Sequence, residues 1–289
     1  MTDRHDISRR GFLGGGLAVA AAGAAAAQGQ GEEVYKITNG RVMQGVCQWS
    51  AGIGPIEKLC EVANQIGLKG IDLVGKKDWP VLKAHGLVCS MIGSHSIGKG
   101  FNRVENHEEC IRAVRQGIDD AAEAGFPNVI CFSGNRAGLD DETGLKNCAE
   151  GLKQIVGYAE EKKITLCMEL LNSKRNHRDY QCDRTAWGAR LVDAVGSERF
   201  RLLYDIYHMQ IDEGDVIATI KESAAKYFGH VHTAGVPGRN DIDDSQELYY
   251  PAIMKALVGT GYKGFVSHEF SAKGDKIKAL STAARICDV

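Results

Sequence analysis

From residue 41 to the end of the chain, short apolar runs alternate with longer amphipathic stretches. No other feature narrows the fold as much. Strand-like runs cover 42–47, 69–74, 87–93, 128–133, 164–171, 200–206, 230–234 and 264–269. Helical patterns lie near 55–66, 78–85, 105–124, 144–162, 185–195, 215–228, 250–259 and 275–287. Gly67, Gly86, Gly125, Gly196, Gly229 and Gly261 read as helix stops, and Asp78 and Asp215 as N-caps.

Eight strands and eight helices in strict alternation describe a (β/α)8 TIM barrel over residues 41–289. The competing arrangement is a doubly wound open sheet. Its dinucleotide-binding form carries Gly-x-Gly-x-x-Gly after the first strand, and that motif is missing here. No linker divides the region, so a single domain is expected.

A barrel places its chemistry at the C-terminal ends of its strands. The fifth run ends on Glu169, the sixth on Asp205, the seventh carries His230 and His232, and the eighth ends on His268-Glu269. An acid closing a buried strand is costly unless it is paired or binds a metal. A lone Glu169 would read as half of a salt bridge. Three acids and an imidazole on consecutive strands, which are neighbours in a barrel, point instead to a shared cation. Side chains alternate along a strand, so His230 and His232 share a face, and His232 lies nearer the C-terminal end. By the same alternation His268 points away from Glu269 and reads as structural. The oxygen-rich set suits Mn²⁺ or Mg²⁺, and the imidazole admits Co²⁺ or Zn²⁺. Mn²⁺ is the first choice, and no nicotinamide or flavin is expected.

The first 40 residues are read separately. Ser8-Arg9-Arg10-Gly11-Phe12-Leu13 precedes a Gly/Ala-rich run to Ala27, which resembles a twin-arginine export signal. The run is short and poor in Leu and Ile for a membrane span. The expected organisation is a signal over 1–27, an extension over 28–40, and no stable membrane insertion once the signal is removed. A periplasmic or other extracytoplasmic location follows. The nine cysteines are odd in number and form no Cys-x-x-Cys. Cys47, Cys89, Cys131 and Cys167 lie within apolar runs, so burial is expected rather than a disulfide framework. Lys and Arg total 35 against 37 Asp and Glu, a net charge of −2 that disfavours bulk binding to nucleic acid.

Glu169-Leu170-Leu171-Asn172, Tyr204-Asp205-Ile206-Tyr207-His208-Met209-Gln210, Gly229-His230-Val231-His232 and His268-Glu269-Phe270 resemble the hydroxypyruvate isomerase family. That family belongs to the xylose isomerase-like barrels, together with ketose 3-epimerases and endonuclease IV-type repair enzymes. The resemblance covers roughly residues 40–289. It implies that Glu169, Asp205, His232 and Glu269 hold one divalent metal and that Glu169 and Glu269 are also the acid/base pair. It further implies that His208 contacts a substrate oxygen, and that Arg239, in Val236-Pro237-Gly238-Arg239, meets the substrate. Bacterial isomerases of the family carry Gln where this chain has His232, and ketose 3-epimerases carry His. The family's downstream Pro-Gly-x-Gly-Glu is replaced by residues 240–247, with Glu247 in the place of its last acid. Oligomers are common among such relatives, so the resemblance leaves a homo-oligomer open; the oligomeric state itself is not readable from the sequence. The repair enzymes carry extra histidines on early strands, and the runs ending near Asp72 and Ser133 supply none.

Three further residues complete the candidate substrate-binding set: His95 after the third run, Arg136 after the fourth as a bidentate grip for a carboxylate, and Trp49 after the first as an apolar wall. The expected activity is isomerisation of an α-hydroxycarbonyl through an enediolate, hydroxypyruvate to tartronate semialdehyde. The alternative is an exported ketose 3-epimerase or keto-glycoside enzyme using the same metal and glutamates. Small hydroxy-carbonyl acids or sugars are therefore the expected partners, and nucleic acid is not. A sugar-binding protein without catalysis is disfavoured, since binding alone does not require acids at these strand ends.

Overall fold

The alternation becomes a curled, wholly parallel sheet in the computed structural model, which describes residues 33–289. The expected signal over 1–27 and residues 28–32 of the expected extension lie outside the described residues. The strands are β1 (Met43–Cys47), β2 (Gly70–Asp72), β3 (Asn128–Cys131), β4 (Thr165–Glu169), β5 (Phe200–Asp205), β6 (Phe228–Thr233) and β7 (Phe265–His268). Their order in space is β2-β1-β7-β6-β5-β4-β3, so the first strand pairs with the last. That pairing is the mark of the barrel and sets aside the open sheet.

Seven strands are regular where eight were expected. The segment 87–93 still joins the two free edges. Ile71 and Leu73 N–H donate to the carbonyls of Val88 (2.9 Å) and Met91 (2.8 Å). On the far side Ile92 N–H donates to Asn128 O (2.9 Å). Between the first two bonds β2 advances two residues and the segment three. One extra residue on one side is a β-bulge, which bends the chain and breaks the ladder. The bulge turns the Ser90 hydroxyl inward onto the Asp72 carboxylate. Gly229 also departs from expectation: it lies within β6, not at a helix end. A Cβ there would stand 2.8 Å from the Cβ of Arg201, so the position admits little more than hydrogen.

Ten α-helices are present among the described residues. They are α1 (Gln48–Ala51), α2 (Ile56–Ile66), α3 (Trp79–Ala84), α4 (His107–Ala124), α5 (Asp141–Lys162), α6 (Thr185–Val195), α7 (Ile206–Asp212), α8 (Val216–Tyr227), α9 (Tyr250–Gly259) and α10 (Lys276–Cys287). The working N-caps are Asp140, Asp205 and Asp275, whose carboxylates accept from backbone N–H groups of α5, α7 and α10. Asp78 and Asp215 occupy cap positions without a side-chain bond. The pattern gives no sign of α1 or α7. Each is too short for a helical period, and each starts directly at a strand's C-terminal end, at the barrel mouth.

The core fills the barrel and the helix–sheet interface. All nine cysteines are buried and free, as their apolar surroundings suggested. None of the described helices is long and apolar enough to cross a membrane. The described part of the expected extension is tied to the far end of the chain. The Asp288 carboxylate accepts from the backbone N–H of Thr38 (2.7 Å), Asn39 (2.9 Å) and Gly40 (2.9 Å), and from the Tyr35 hydroxyl (2.8 Å).

Candidate active site at the strand ends

Strand register carries the four expected ligands to one place. Asp205 on β5 lies opposite His232 on β6, and Thr233 lies opposite His268, so Glu269 emerges just beyond β7. Glu169 closes β4. One ligand atom from each of Glu169, Asp205, His232 and Glu269 lies within 4.8 Å of all the others. All four residues are buried, His232 completely.

His232 Nδ1 lies 2.8 Å from Glu269 Oε2 and 3.7 Å from Glu169 Oε1. It nevertheless has no hydrogen-bond partner, because the angles do not fit one. Two donor atoms that are close but not bonded to each other are what convergence on a common point produces. The donor set, three carboxylates and one imidazole, fits a divalent cation of intermediate hardness.

The charges show how strongly this cluster calls for positive charge. Burial pushes the Asp205 carboxyl up to about 7, and Glu269 and Glu169 add to the shift against the pull of Arg239 and His232. Burial likewise raises Glu169, with Glu269 adding to it. Burial also works to raise Glu269, but His232, Arg239 and the Trp49 N–H outweigh it and hold this carboxyl below the usual range. Burial alone would lower His232; Glu269, Asp72 and Glu169 instead hold it well above an ordinary imidazole.

Arg239 reaches in from the loop after β6. Its Nη2 stands 3.0 Å from Asp205 Oδ2 and also meets Glu269 Oε2. Its guanidinium lies over the rings of Trp49 and Tyr207, 5.3 and 5.4 Å from their centroids. The residue expected to meet the substrate therefore bridges two of the three acids. Trp49, on α1, is 56% exposed and donates its indole N–H to Glu269 Oε1 at 2.8 Å. It is thus a polar partner of the site, where the sequence suggested an apolar wall.

His208, on α7, is fully buried with Nε2 3.6 Å from Asp205 Oδ2 and without a hydrogen-bond partner. Asn172 settles which nitrogen carries the proton. Its Oδ1 accepts from the backbone N–H of Arg175 (3.1 Å) and Asn176 (2.9 Å), so its Nδ2 faces His208 Nδ1 at 2.5 Å. Nδ1 must accept, and Nε2–H is left as a donor beside the acids. Burial, with Arg239, holds this imidazole neutral, well below its ordinary pKa.

Two expected residues stand apart. Arg136 spends all its donors within the protein: Nε on Asp141, Nη1 on Tyr180 O and Asp183, Nη2 on Gln181 O and Asp183. The carboxylate it grips bidentately is Asp183, which leaves no N–H for a substrate. His95 Nδ1 bonds to Lys99 O at 3.0 Å and Nε2 accepts from Phe132 N–H at 3.3 Å, so it clamps its own loop. Among the described residues, neither bonds to any of the three acids or to the imidazole of the cluster. Glu247 is exposed and accepts from Gln210 Nε2 at 3.1 Å. Asp72 is the residue the sequence reading passed over. It is buried on β2, and its Oδ2 accepts from His230 Nε2 (2.7 Å) and His232 Nε2 (3.0 Å). The available signal was an acid embedded in Ile71-Asp72-Leu73-Val74, but nothing in the pattern said which residues it would meet.

Fold and site together define a xylose isomerase-like TIM barrel. Residues 79–287 match the family model of that description, and the chain belongs to that family. Among named proteins, it is 32% identical to a putative hydroxypyruvate isomerase of Xenopus laevis, over 76% of this chain and 86% of that protein. It is 29% identical to the putative hydroxypyruvate isomerase of Homo sapiens, over 58% of this chain and 64% of the human protein, a little under two thirds of its length. It is also 28% identical to the D-psicose 3-epimerase of Ruminiclostridium cellulolyticum, over 45% of this chain and 43% of that one. A solved structure described as an AP endonuclease, family 2, from Brucella melitensis superposes with a TM-score of 0.73 at 22% identity, covering 84% and 98% of the two chains. At that identity the likeness is one of fold. The sequence relatives are isomerases and epimerases, and this chain is an enzyme of that broad type.

Proposed function

We propose that this enzyme is a metal-dependent isomerase that interconverts an α-hydroxycarbonyl pair through an enediolate, in the manner of the hydroxypyruvate isomerases. The observation that carries the reading is the convergence of the buried residues Glu169, Asp205, His232 and Glu269, with one ligand atom of each within 4.8 Å of the others. These four residues would hold a divalent ion (Mn²⁺ first, then Mg²⁺, Co²⁺ or Zn²⁺), which would supply fixed positive charge where negative charge develops on the substrate.

The chain's own residues do the rest. Glu169 and Glu269 form the acid/base pair: the ionised member takes the proton from the substrate carbon, and the protonated member returns one to the adjacent carbon. Their surroundings differ: burial raises Glu169, while His232, Arg239 and Trp49 hold Glu269 low, which suits Glu269 to the base and Glu169 to the acid. His208 Nε2–H donates to a substrate oxygen as a neutral hydrogen bond. Arg239 steadies Asp205 and Glu269, and the rings of Trp49 and Tyr207 in turn hold its guanidinium in place. For hydroxypyruvate the product is tartronate semialdehyde: one proton moves between the adjacent carbons and one from the hydroxyl oxygen to the former carbonyl oxygen, with no change in overall oxidation state.

One observation favours a second reading, a ketose 3-epimerase or keto-glycoside enzyme. All Arg136 donors are committed to the protein, so the guanidinium expected to grip a substrate carboxylate is not free to do so; Arg239 shares its Nη2 between two acids and keeps Nε without a hydrogen-bond partner. A neutral polyol needs no such partner. The export reading of residues 1–27 points the same way, toward sugars met outside the cytoplasm. One assay separates the two: solvent deuterium uptake by NMR with Mn²⁺-loaded protein, on hydroxypyruvate and then on ketoses and 3-keto-sugars. Uptake into hydroxypyruvate supports the first reading and uptake only into sugars the second. Both should stop after EDTA and return with Mn²⁺. Exchange with none of them in metal-loaded protein overturns the enolisation chemistry.

A further inference from the structure

The four-residue cluster leaves unexplained why an acid from β2 is buried against β6. We propose that Asp72 is a positioning residue for His232, holding it in the one tautomer that presents Nδ1 to a cation. The proposal rests on the metal reading above.

The hydrogen bonds leave little choice. Asp72 is completely buried and, as a carboxylate, can only accept. Its Oδ1 takes the Ser90 hydroxyl, and its Oδ2 takes His230 Nε2 at 2.7 Å and His232 Nε2 at 3.0 Å. Each nitrogen facing it must therefore carry a proton. With the proton on Nε2, the lone pair of a neutral His232 sits on Nδ1, the atom that faces Glu269 and Glu169 without a hydrogen bond. A metal-binding imidazole needs its other nitrogen anchored in this way, and a carboxylate is a strong anchor.

Packing removes the alternative orientation. His230 and His232 share one face of β6, and their rings meet edge to face with centroids 5.0 Å apart. His230 lies against Phe265. Turning His232 over would give up the Asp72 bond inside a sealed interior. Strand alternation brings both imidazoles to the same oxygen, while the bulge at Ser90 supplies the third donor from the segment that closes the sheet. Asp72 therefore joins the closure of the barrel to the geometry of its mouth. A purely structural ion pair would also tie β2 to β6, but would not set which nitrogen of His232 is free.

The test compares Mn²⁺ affinity by calorimetry in wild type, Asp72→Asn, His232→Gln and the double variant, with circular dichroism confirming the fold. Asp72→Asn should weaken binding roughly 10- to 100-fold, the usual loss when such an anchor is removed. In the His232→Gln background the same substitution should change affinity less than about twofold, since Asp72 acts only through the imidazole. An equal loss in both backgrounds, or no loss in either, overturns the proposal. Two bound ions per wild-type chain, with one lost in Asp72→Asn, would make Asp72 a direct ligand and also overturn it. A wild type that binds no divalent ion sinks the metal reading and this proposal with it, whereas wild-type binding matched by Asp72→Asn sinks this proposal alone. Should Asp72→Asn fail to fold, ¹⁵N-histidine NMR of the Zn²⁺-loaded wild type decides the matter. Protonated Nε2 with ligated Nδ1 is expected, and the reverse assignment overturns it.

Discussion

Single side chains at this site do more than one task, and each task has a visible cause. Asp205 offers Oδ2 to the cluster while its Oδ1 caps α7, accepting from the N–H of Tyr207 (2.8 Å) and His208 (3.2 Å). The cap fixes both the acid and the histidine three residues later, so one turn of helix sets two positions in the pocket. Glu169 has no comparable backbone bond and is buried among like charges, which leaves its proton affinity the most open to change. Replacement of Glu169 by Gln should lower deuterium exchange into substrate by more than about a hundredfold, the usual scale for a lost acid/base group. Mn²⁺ binding, read by calorimetry, should weaken in the same variant. Undiminished exchange would remove Glu169 from the chemistry.

Among the elements, the loops after β3 and β4 form one clasp. Arg136 from the first binds Asp183 and the carbonyls of Tyr180 and Gln181 from the second. The sequence marked this arginine by its place after a strand, which is where substrate-binding residues also sit. Position on an element cannot tell a residue that grips a ligand from one that grips the neighbouring loop. Replacement of Arg136 by Lys should lower stability by about 1–3 kcal/mol, from the loss of the bidentate pair and of bonds to buried carbonyls. KM should stay within about twofold of wild type. A large rise in KM at unchanged melting temperature would restore the substrate role. The bulged segment 87–93 teaches the same lesson for strands. Its composition is as apolar as its neighbours', so pattern reads a strand, but the extra residue that breaks the ladder shows only against β2 and β3.

At the scale of the whole molecule, the closure between first and last strands carries a buried histidine. Gln44 Nε2 on β1 donates to Ala284 O of α10, so its Oε1 accepts from His268 Nε2 on β7 at 3.0 Å. His268 Nδ1 then takes the Thr233 hydroxyl from β6 at 2.8 Å. Three consecutive strands are thereby joined through one neutral ring, and burial lowers its pKa to about 4. The unfolded chain protonates this group at about 6.5, the folded chain only near 4, so between those values the unfolded state holds the extra proton. Its contribution is present in full above pH 6.5 and is lost as the pH falls toward 4, a change of roughly 3 kcal/mol. Urea unfolding at several pH values should show this slope in wild type and a flatter one in His268→Gln. Equal slopes would show that the closure does not respond to this proton.

The sequence by itself determined the fold class and the identities of the four converging residues. Both follow from local rules: apolar periodicity separates strand from helix, and a polar residue ending a buried strand must answer for its burial. The reading of His268 as structural came from the same two-residue alternation. What only the tertiary structure decided were the relations across the barrel. Asp72 meets His230 across 158 residues of sequence, Asn172 fixes the proton on His208, and Arg239 lies on two of the acids. Hydrogen bonds form between groups that closure brings within about 3 Å, and no local pattern records which distant groups those are.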